Sequence, residues 1–287
     1  ATQYRYNTLG QVIEQWTPDA DTSRFWYDEL GRLVVSQNAK QAKGGKYSYT
    51  LYDVHGRITE VGETGQRPAI SQTITRDPAQ LLAWLNTNIS TRPLSQITQT
   101  VYDVAAELSE TGMDEQRFSQ GNLRNRVSFS KVIDSRNSAL SSLTVTNNNS
   151  NYRQATIFDY DIHGNVKNLL HDYRQGAMAD AGLSSLNRFK QVRYDYDLIS
   201  GKVNMVSYQP DYYNGEVAIR FKDLFYHKYE YDAENKLTAV YTSSDSVYWE
   251  KDAAYKYYRH GPLARMEIGH AKVQGLDYAY TLQGWLK

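Results

Sequence analysis

One short pattern recurs along the whole chain: a tyrosine, an aspartate or asparagine, two variable residues, a glycine, and an aliphatic residue two positions after that glycine. It is clearest in the runs Tyr27-Asp28-Glu29-Leu30-Gly31-Arg32-Leu33 and Tyr52-Asp53-Val54-His55-Gly56-Arg57-Ile58. Nine copies can be counted, some of them degenerate, and four of the eight spacings between their tyrosines lie between 21 and 26 residues. A unit of about two dozen residues holds about two strands and two connections. The chain is therefore predicted to be an array of one repeated supersecondary unit.

Each unit is predicted to be a β-hairpin that turns between the tyrosine and the aliphatic residue. Side chains alternate along a strand, so the tyrosine shares a face with the aromatic residue that often lies two positions before it. The aspartate or asparagine can accept hydrogen bonds from the turn backbone, and the glycine tolerates positive φ. The predicted repeat and turn residues are Tyr6, Gly10, Tyr27, Asp28, Gly31, Tyr52, Asp53, Gly56, Tyr160, Asp161, Gly164, Tyr196, Asp197, Tyr231, Asp232, Tyr257, Gly261, Tyr280 and Gly284.

The fold class that follows is all-β, made of repeated antiparallel β-hairpins with one short inserted helix. Asp77 and Pro78 supply a capping residue and a proline at the first helical position, and apolar residues at 81, 82, 84 and 85 lie on one side, which predicts a helix over 78–86. The predicted organisation is hairpins over 1–65, an insertion with the helix over 66–98, and further hairpins, continuous with the first set, over 99–287.

Composition excludes several classes of function. Lys and Arg number 32 and Asp and Glu number 32, so nothing attracts a phosphate backbone over long range and no nucleic-acid partner is expected. The longest apolar run, 81–85, is far shorter than the ~20 residues of a membrane-spanning helix, so no membrane span is expected. Cysteine is absent, which excludes disulfides, thiolate metal sites and a cysteine nucleophile.

No catalytic or metal-binding pattern is found in the sequence. Gly-x-Ser-x-Gly, a phosphate-binding loop, His-Glu-x-x-His and a dinucleotide fingerprint are all missing. His55, His163 and His260 each precede a turn glycine, but no second histidine lies at ligand spacing. They are interpreted as solvated turn residues rather than as a metal site or a pH switch. The chain is expected to be no enzyme and to need no metal and no cofactor.

Two pairs of carboxylates lie two residues apart and could be mistaken for the acid and base of a glycosidase. Asp159 with Asp161, and Asp195 with Asp197, flank a repeat tyrosine. Residues two apart in a strand share a face. They are interpreted as polar neighbours of the tyrosine that solvate the outer face of the sheet.

The runs from Tyr27 to Leu33 and from Tyr52 to Ile58 resemble the YD repeat of the RHS (rearrangement hot spot) family, which includes toxin-complex C components, wall-associated proteins and teneurins. Recurrences extend from residue 4 to residue 286, and 260–265 with 273–286 resemble more specifically the RHS proteins of Bacteroidetes. The resemblance implies a long β-sheet ribbon that spirals into a hollow shell, in which relatives enclose a C-terminal toxin domain or a plug. Some relatives cut themselves after the repeats, and the chain has no such segment.

On this resemblance the chain is expected to be a non-catalytic segment of a shell that encapsulates and helps deliver a C-terminal toxin or effector polypeptide. Its partners would be the remainder of the same RHS polypeptide and the enclosed toxin, with secretion machinery as a further candidate. It would be secreted or at the cell surface of a bacterium. Both ends are interpreted as cut from a longer chain, so that open strand edges should make the fragment self-associate.

A second hypothesis stays open at this point. The chain could be a cell-surface recognition or adhesion module that binds glycan or a partner protein, as in the teneurin-like branch. Exposed aromatic side chains such as Trp26, Trp249, Tyr212 and Tyr213 would then form the binding surface.

Overall fold

The computed structural model describes residues 1–106, 118–143, 152–174, 188–210 and 223–287. Within these ranges, seventeen antiparallel strands are hydrogen-bonded in one sheet, accompanied by three short helices. The predicted all-β fold of antiparallel hairpins is confirmed. The strands are β1 (Gln3–Tyr6), β2 (Val12–Thr17), β3 (Asp21–Tyr27), β4 (Leu33–Gln37), β5 (Ser48–Tyr52), β6 (Ile58–Glu63), β7 (Leu94–Tyr102), β8 (Val127–Arg136), β9 (Gln154–Tyr160), β10 (Val166–Tyr173), β11 (Phe189–Tyr196), β12 (Val203–Tyr208), β13 (Phe225–Tyr231), β14 (Leu237–Ser243), β15 (Glu250–Tyr257), β16 (Leu263–Ile268) and β17 (Gln274–Asp277), and the helices are α1 (Ala39–Lys43), α2 (Gln72–Arg76) and α3 (Pro78–Asn86).

Seven hairpins in the described ranges share one register at the turn, in which the repeat tyrosine lies opposite an aliphatic residue. Tyr27, the last residue of β3, lies opposite Leu33, the first residue of β4, and Tyr52 lies opposite Ile58 in the same way. A β-bulge just before the tyrosine sets this pairing, because the residue before Tyr52 is already opposite Glu60. The same shift recurs at the tyrosines that end β1, β7, β11, β13 and β15. The bulge therefore belongs to the repeat and is not a local defect.

The described residues divide into two compact units. The first contains 1–106, 123–143, 152–157 and 172–174, and the second contains 118–122, 158–171, 188–210 and 223–287.

The first unit has an apolar core between its sheet and the inserted helices. Leu81, Trp84 and Leu85 of α3 are buried against strand residues that include Tyr49 and Ile97. Trp84 is further held because its indole N–H donates to the carbonyl of Pro68 at 3.0 Å. The insertion therefore covers one face of the sheet, which removes apolar strand residues from water.

The predicted helix over 78–86 is confirmed as α3. The carboxylate of Asp77 accepts hydrogen bonds from the backbone N–H groups of Ala79 and Gln80 at 2.9 and 3.2 Å, and Pro78 occupies the first turn. These contacts satisfy N–H groups that have no partner within the helix.

Two further helices were missed by the sequence analysis. Helix α1 begins after Asn38, which forms a capping box with Gln41, and α2 begins after Ser71, whose hydroxyl caps its first turn. Each helix has five residues, which is too short to show a helical period in the sequence. No helix in the described ranges has the length and apolar character that crossing a membrane would require.

A buried ion pair lies beside the apolar core of the first unit. Glu60 is fully buried, and the Arg136 guanidinium donates to both of its carboxylate oxygens at 2.7 and 2.9 Å. The hydroxyl of Tyr49 donates to the same carboxylate at 2.8 Å, and burial followed by the charge of Glu60 raises the pKa of Tyr49. Because both charges are removed from water, each depends on the other for compensation.

The described part of the second unit consists of strands and their connections.

The carboxylate of Asp159, in the second unit, contradicts the interpretation of the aspartate pairs as groups that solvate the outer face. Asp159 is only 7% exposed, and it accepts hydrogen bonds from the backbone N–H of Gly121 and from the amide of Asn168, both at 2.8 Å. Its carboxylate ties residues 118–122 to β10, which is a packing role, whereas Asp195 is exposed as expected.

Candidate functional site: the turns of the repeat and their links

In six of the repeats the turn is closed by the aspartate or asparagine that follows the tyrosine. In the turn at Asp53, one carboxylate oxygen accepts from the backbone N–H groups of His55 and Arg57 at 2.9 and 2.8 Å, and the other accepts from the Arg57 guanidinium at 2.7 Å. The backbone N–H of Gly56 donates to the Asp53 carbonyl at 3.0 Å. The side chain thus replaces water at turn donors that the sheet leaves free. Related contacts are made by Asn7, Asp28, Asp161, Asp197 and Asp232.

The turn glycine has a backbone conformation that L-residues rarely adopt. Gly56 has φ +81°, and the same position in the turn at Asp232 is taken by Asn235 with φ +62°. Asparagine is the residue that tolerates this region best after glycine. The remaining predicted turn glycines, Gly10, Gly31, Gly164, Gly261 and Gly284, also have positive φ.

The hydroxyl of the repeat tyrosine links seven of the hairpins to the hairpin before them. Tyr52 donates to the carbonyl of Leu33 at 2.8 Å, and Leu33 is the residue that faces the previous repeat tyrosine. Within the described residues this bond occurs seven times, at distances from 2.7 to 3.1 Å. The pairs are Tyr27 with Val12, Tyr52 with Leu33, Tyr102 with Ile58, Tyr196 with Val166, Tyr231 with Val203, Tyr257 with Leu237, and Tyr280 with Leu263.

Sequence reasoning missed this series of bonds, and it left Tyr102 out of the predicted site because that copy has lost its glycine. The acceptor is a main-chain carbonyl, so no side chain in the sequence identifies it. Tyr6 and Tyr160 complete the set of predicted tyrosines. Tyr6 ends β1 and is 58% exposed, and the ring of Tyr160 stacks on Phe158 with centroids 6.3 Å apart.

The residue after the turn glycine forms a second link between neighbouring repeats. The guanidinium of Arg32 lies 4.6 Å from the ring centroid of Tyr52, and that of Arg57 lies 4.3 Å from the ring centroid of Tyr102. A cation over an aromatic face within about 6 Å is attracted by the ring. Arg57 also donates to the carboxylate of Asp103 at 2.7 Å, so one side chain contacts two successive turns.

These contacts favour the charged form of the carboxyl groups of Asp53 and Asp161. Burial opposes the ionisation of Asp53, but the hydrogen bonds from Arg57 and His55 outweigh it and lower the pKa of its carboxyl. Hydrogen bonds from Asn165 and Gly164 likewise overcome burial and lower the pKa of Asp161. Burial raises the pKa of Tyr52, so its hydroxyl keeps the proton that it donates.

The structure also gives the surroundings of the turn histidines and of the aromatic residues named in the recognition hypothesis. His163 is exposed, with Nδ1 3.9 Å from the carboxylate of Asp161. In the described ranges, no group of three or more His, Cys, Asp or Glu side chains is arranged to hold a metal ion. Trp26 is not an exposed aromatic, because its ring packs against the core, 5.8 Å from the ring of Tyr47. Trp249 is half-buried, and Tyr212 and Tyr213 lie outside the described residues.

The fold is similar to that of solved toxin structures. The crystal structure of TcdB2–TccC3 matches 99% of this chain with a TM-score of 0.59 and 12% identity, and the crystal structure of TcdB2–TccC3–Cdc42 matches it with a TM-score of 0.59 and 13% identity. A structure of the Photorhabdus luminescens Tc holotoxin pore with a TccC3 variant matches 99% with a TM-score of 0.55 and 12% identity. This chain spans only 11 to 12% of those chains. No protein-family model and no curated protein sequence matches it.

Removing one tyrosine hydroxyl tests the link between repeats. We expect Tyr52→Phe to lower the free energy of unfolding by about 1 kcal/mol, because the partly buried carbonyl of Leu33 loses its donor. Urea denaturation measures the loss. Tyr6→Phe is the matched control, since the Tyr6 hydroxyl has no hydrogen-bond partner among the described residues and should be dispensable. Equal stability losses in the two variants would contradict the link.

Substitution of a turn glycine tests the backbone conformation. Gly56→Val should destabilise the protein by roughly 1 kcal/mol or more, because a β-branched residue resists a φ of +81°. Gly56→Asn should lose much less, as Asn235 already occupies the equivalent position. Both are measured by the midpoint of urea denaturation, and a valine variant as stable as the asparagine variant would refute the strain.

Acid titration tests the turn carboxylates. The pKa of Asp161 is lowered in the folded state from its ordinary value of 3.8, so its stabilising effect is complete above that value and is lost as pH falls through the lowered pKa. We expect unfolding free energy to decline below about pH 4, and to decline less steeply in Asp161→Asn, which keeps an acceptor but does not titrate. Asn7→Asp is the reverse control and should steepen the decline. Identical pH profiles for the three proteins would contradict the assignment.

Proposed function

We propose that this chain is a non-catalytic wall segment of an RHS-type β-sheet shell, which encloses a C-terminal toxin or effector polypeptide and helps to deliver it. The observation that carries the proposal is the likeness of fold, over 99% of the chain, to structures of Tc toxins. The chain covers about a ninth of those structures, which fits a segment of a larger wall. The relation to RHS proteins of Bacteroidetes is part of the same proposal.

The links between repeats favour one continuous wall over a set of separate hairpins. Each hydroxyl bond and each stacked guanidinium joins one hairpin to the next, and a hairpin alone is marginally stable in water. Because each link joins only neighbouring hairpins, further hairpins can be added to the sheet by the same contacts. A continuous sheet of this type is what containment of a polypeptide requires.

The partners follow from the same reasoning. The wall would contact the remainder of its own RHS polypeptide and the enclosed toxin, with secretion machinery as a further partner. The protein would act after export, in the medium or at the bacterial cell surface. The absence of catalytic sequence patterns supports a mechanical role, in which the wall separates the toxin from its surroundings until delivery.

Limited proteolysis of the intact gene product that contains these 287 residues tests containment. The polypeptide that follows the repeats should resist protease as long as the wall is folded, and become sensitive when the wall unfolds. A triple variant, Tyr52→Phe with Tyr231→Phe and Tyr257→Phe, should release it at a lower urea concentration, because three links are lost. Tyr6→Phe is the matched control.

Two outcomes would overturn the proposal. The polypeptide beyond the repeats could be digested as fast in the folded product as when it is expressed alone, which means that no wall protects it. Alternatively, the intact gene product could contain no polypeptide beyond the repeats, which leaves nothing to contain.

A further inference from the structure

A cleft opens in the first unit between the inserted helices and the turn that begins at Asp28. Its walls are formed by that turn, by strands β4 and β5 and by helices α2 and α3, all of which belong to the first unit. The cleft holds about 420 Å³ of space, which includes its wide mouth. The enclosed part is much smaller than that volume, so it accommodates one side chain rather than a drug-sized molecule.

The floor of the cleft is apolar. Val34, Leu51 and Leu81 line it and are only 4%, 2% and 3% exposed. Half-buried Leu143 also lines the cleft and packs against the same core. An apolar side chain of a ligand would be removed from water on this floor, which is favourable.

Hydrogen bonds to β3 hold one helical wall of the cleft in place. The side-chain amide of Gln72 donates to the carbonyl of Phe25 at 3.1 Å and accepts from the backbone N–H of Tyr27 at 3.2 Å. The hydroxyl of Thr75 donates to the carbonyl of Tyr27 at 2.8 Å. Helix α2 is thereby fixed next to the turn at Asp28. A ligand therefore meets a preformed cleft, and little of its binding free energy is lost in ordering the protein.

Four charged side chains line the cleft, and two of them are already paired. The Arg32 guanidinium donates to the carboxylate of Asp28 at 2.7 Å and lies over the ring of Tyr52. Arg76 and Glu29 are exposed, and neither forms a hydrogen bond or an ion pair with any residue that the structure describes. They do not pair with each other either, although both line the same cleft. In the described part of the chain, the mouth thus presents one free guanidinium and one free carboxylate with a gap between them.

The ligand that complements these groups has both charges next to an apolar side chain. A guanidinium binds a carboxylate through two parallel hydrogen bonds, and a carboxylate accepts hydrogen bonds from an ammonium group. The carboxylate of Glu29 repels a purely anionic ligand, and the guanidinium of Arg76 repels a purely cationic one. A free α-amino acid meets all three requirements, because its carboxylate and its ammonium group are on the carbon that bears the side chain.

We propose that this cleft binds a free α-amino acid with an aliphatic side chain of about the size of leucine. The side chain lies on the apolar floor, the α-carboxylate binds Arg76 and the α-ammonium group binds Glu29. Because the ligand is small and both ion pairs are open to solvent, the expected dissociation constant is on the order of millimolar. The inference does not depend on the proposed containment role.

Titration of the 287-residue chain with L-leucine, followed by amide NMR chemical shifts, tests the site. L-Leucine should bind saturably. L-Leucinamide lacks the carboxylate, N-acetyl-L-leucine lacks the ammonium group and glycine lacks the side chain, so each should bind at least tenfold more weakly. Shifts that do not saturate up to the solubility limit of L-leucine would overturn the proposal, and so would equal affinity for L-leucine and any one of the three analogues.

Two variants that each remove one charge test the role of each side chain. In Arg76→Gln, L-leucine and L-leucinamide should bind equally, because the carboxylate has lost its partner. In Glu29→Gln, L-leucine and N-acetyl-L-leucine should bind equally, because the ammonium group has lost its partner. If either variant keeps the preference of the wild type for L-leucine over that analogue, the assignment is wrong.

Arg92→Gln is the matched control, since Arg92 is an exposed arginine of the same unit and does not line the cleft. It should keep the affinity of the wild type for L-leucine. All three substituted side chains are exposed, so the midpoint of urea denaturation should stay the same in every variant. A loss of binding is then separated from a loss of fold, and equal losses in Arg76→Gln and Arg92→Gln would rule out the cleft as the site.

Discussion

The hydrogen bond from the repeat tyrosine to the main chain of the previous hairpin fixes how hairpins are placed side by side. A strand can slip by two residues and still place each side chain on the same face of the sheet. Backbone pairing alone therefore does not fix the register of short hairpins, and a further contact is needed. The bulge before Tyr52 sets that tyrosine opposite Ile58, and its hydroxyl then reaches the carbonyl of Leu33. The guanidinium of Arg32 lies over the ring of Tyr52, so the turn ends of these neighbouring hairpins are held together by two contacts.

The two units shield their sheets by different means. In the first, α3 and its neighbours cover one face, and the ion pair of Glu60 with Arg136 is tolerated there because Tyr49 supplies a further hydrogen bond. In the described part of the second, strand residues are mostly half-buried, and aromatic neighbours such as Tyr194 and Tyr196 stack on one another. The inserted segment thus provides a closed apolar core where hairpins alone provide a half-covered surface.

Local chemistry made the fold predictable, and long-range contacts limited the prediction of the site. The turns of the repeat were predictable because the aspartate and the glycine of each turn lie within five residues of each other. Helix α3 was predictable for the same reason, because Asp77 and Pro78 lie at its first turn. The role of Asp159 was misjudged because residues 118–122, distant in sequence, bury it. Trp26 was misjudged because it packs on the core that the insertion completes. The hydrogen bond of the repeat tyrosine was missed because its acceptor is a main-chain carbonyl, a group that every residue has.

The use of a main-chain carbonyl as acceptor has an evolutionary consequence. A carbonyl is presented by whatever residue occupies the position, and here valine, leucine and isoleucine all serve as acceptors for the next tyrosine. A hairpin can therefore diverge, be duplicated or be exchanged without losing compatibility with its neighbour, provided that it keeps its own tyrosine. A sheet joined in this way is built from units whose side chains can change while the contact between them stays the same.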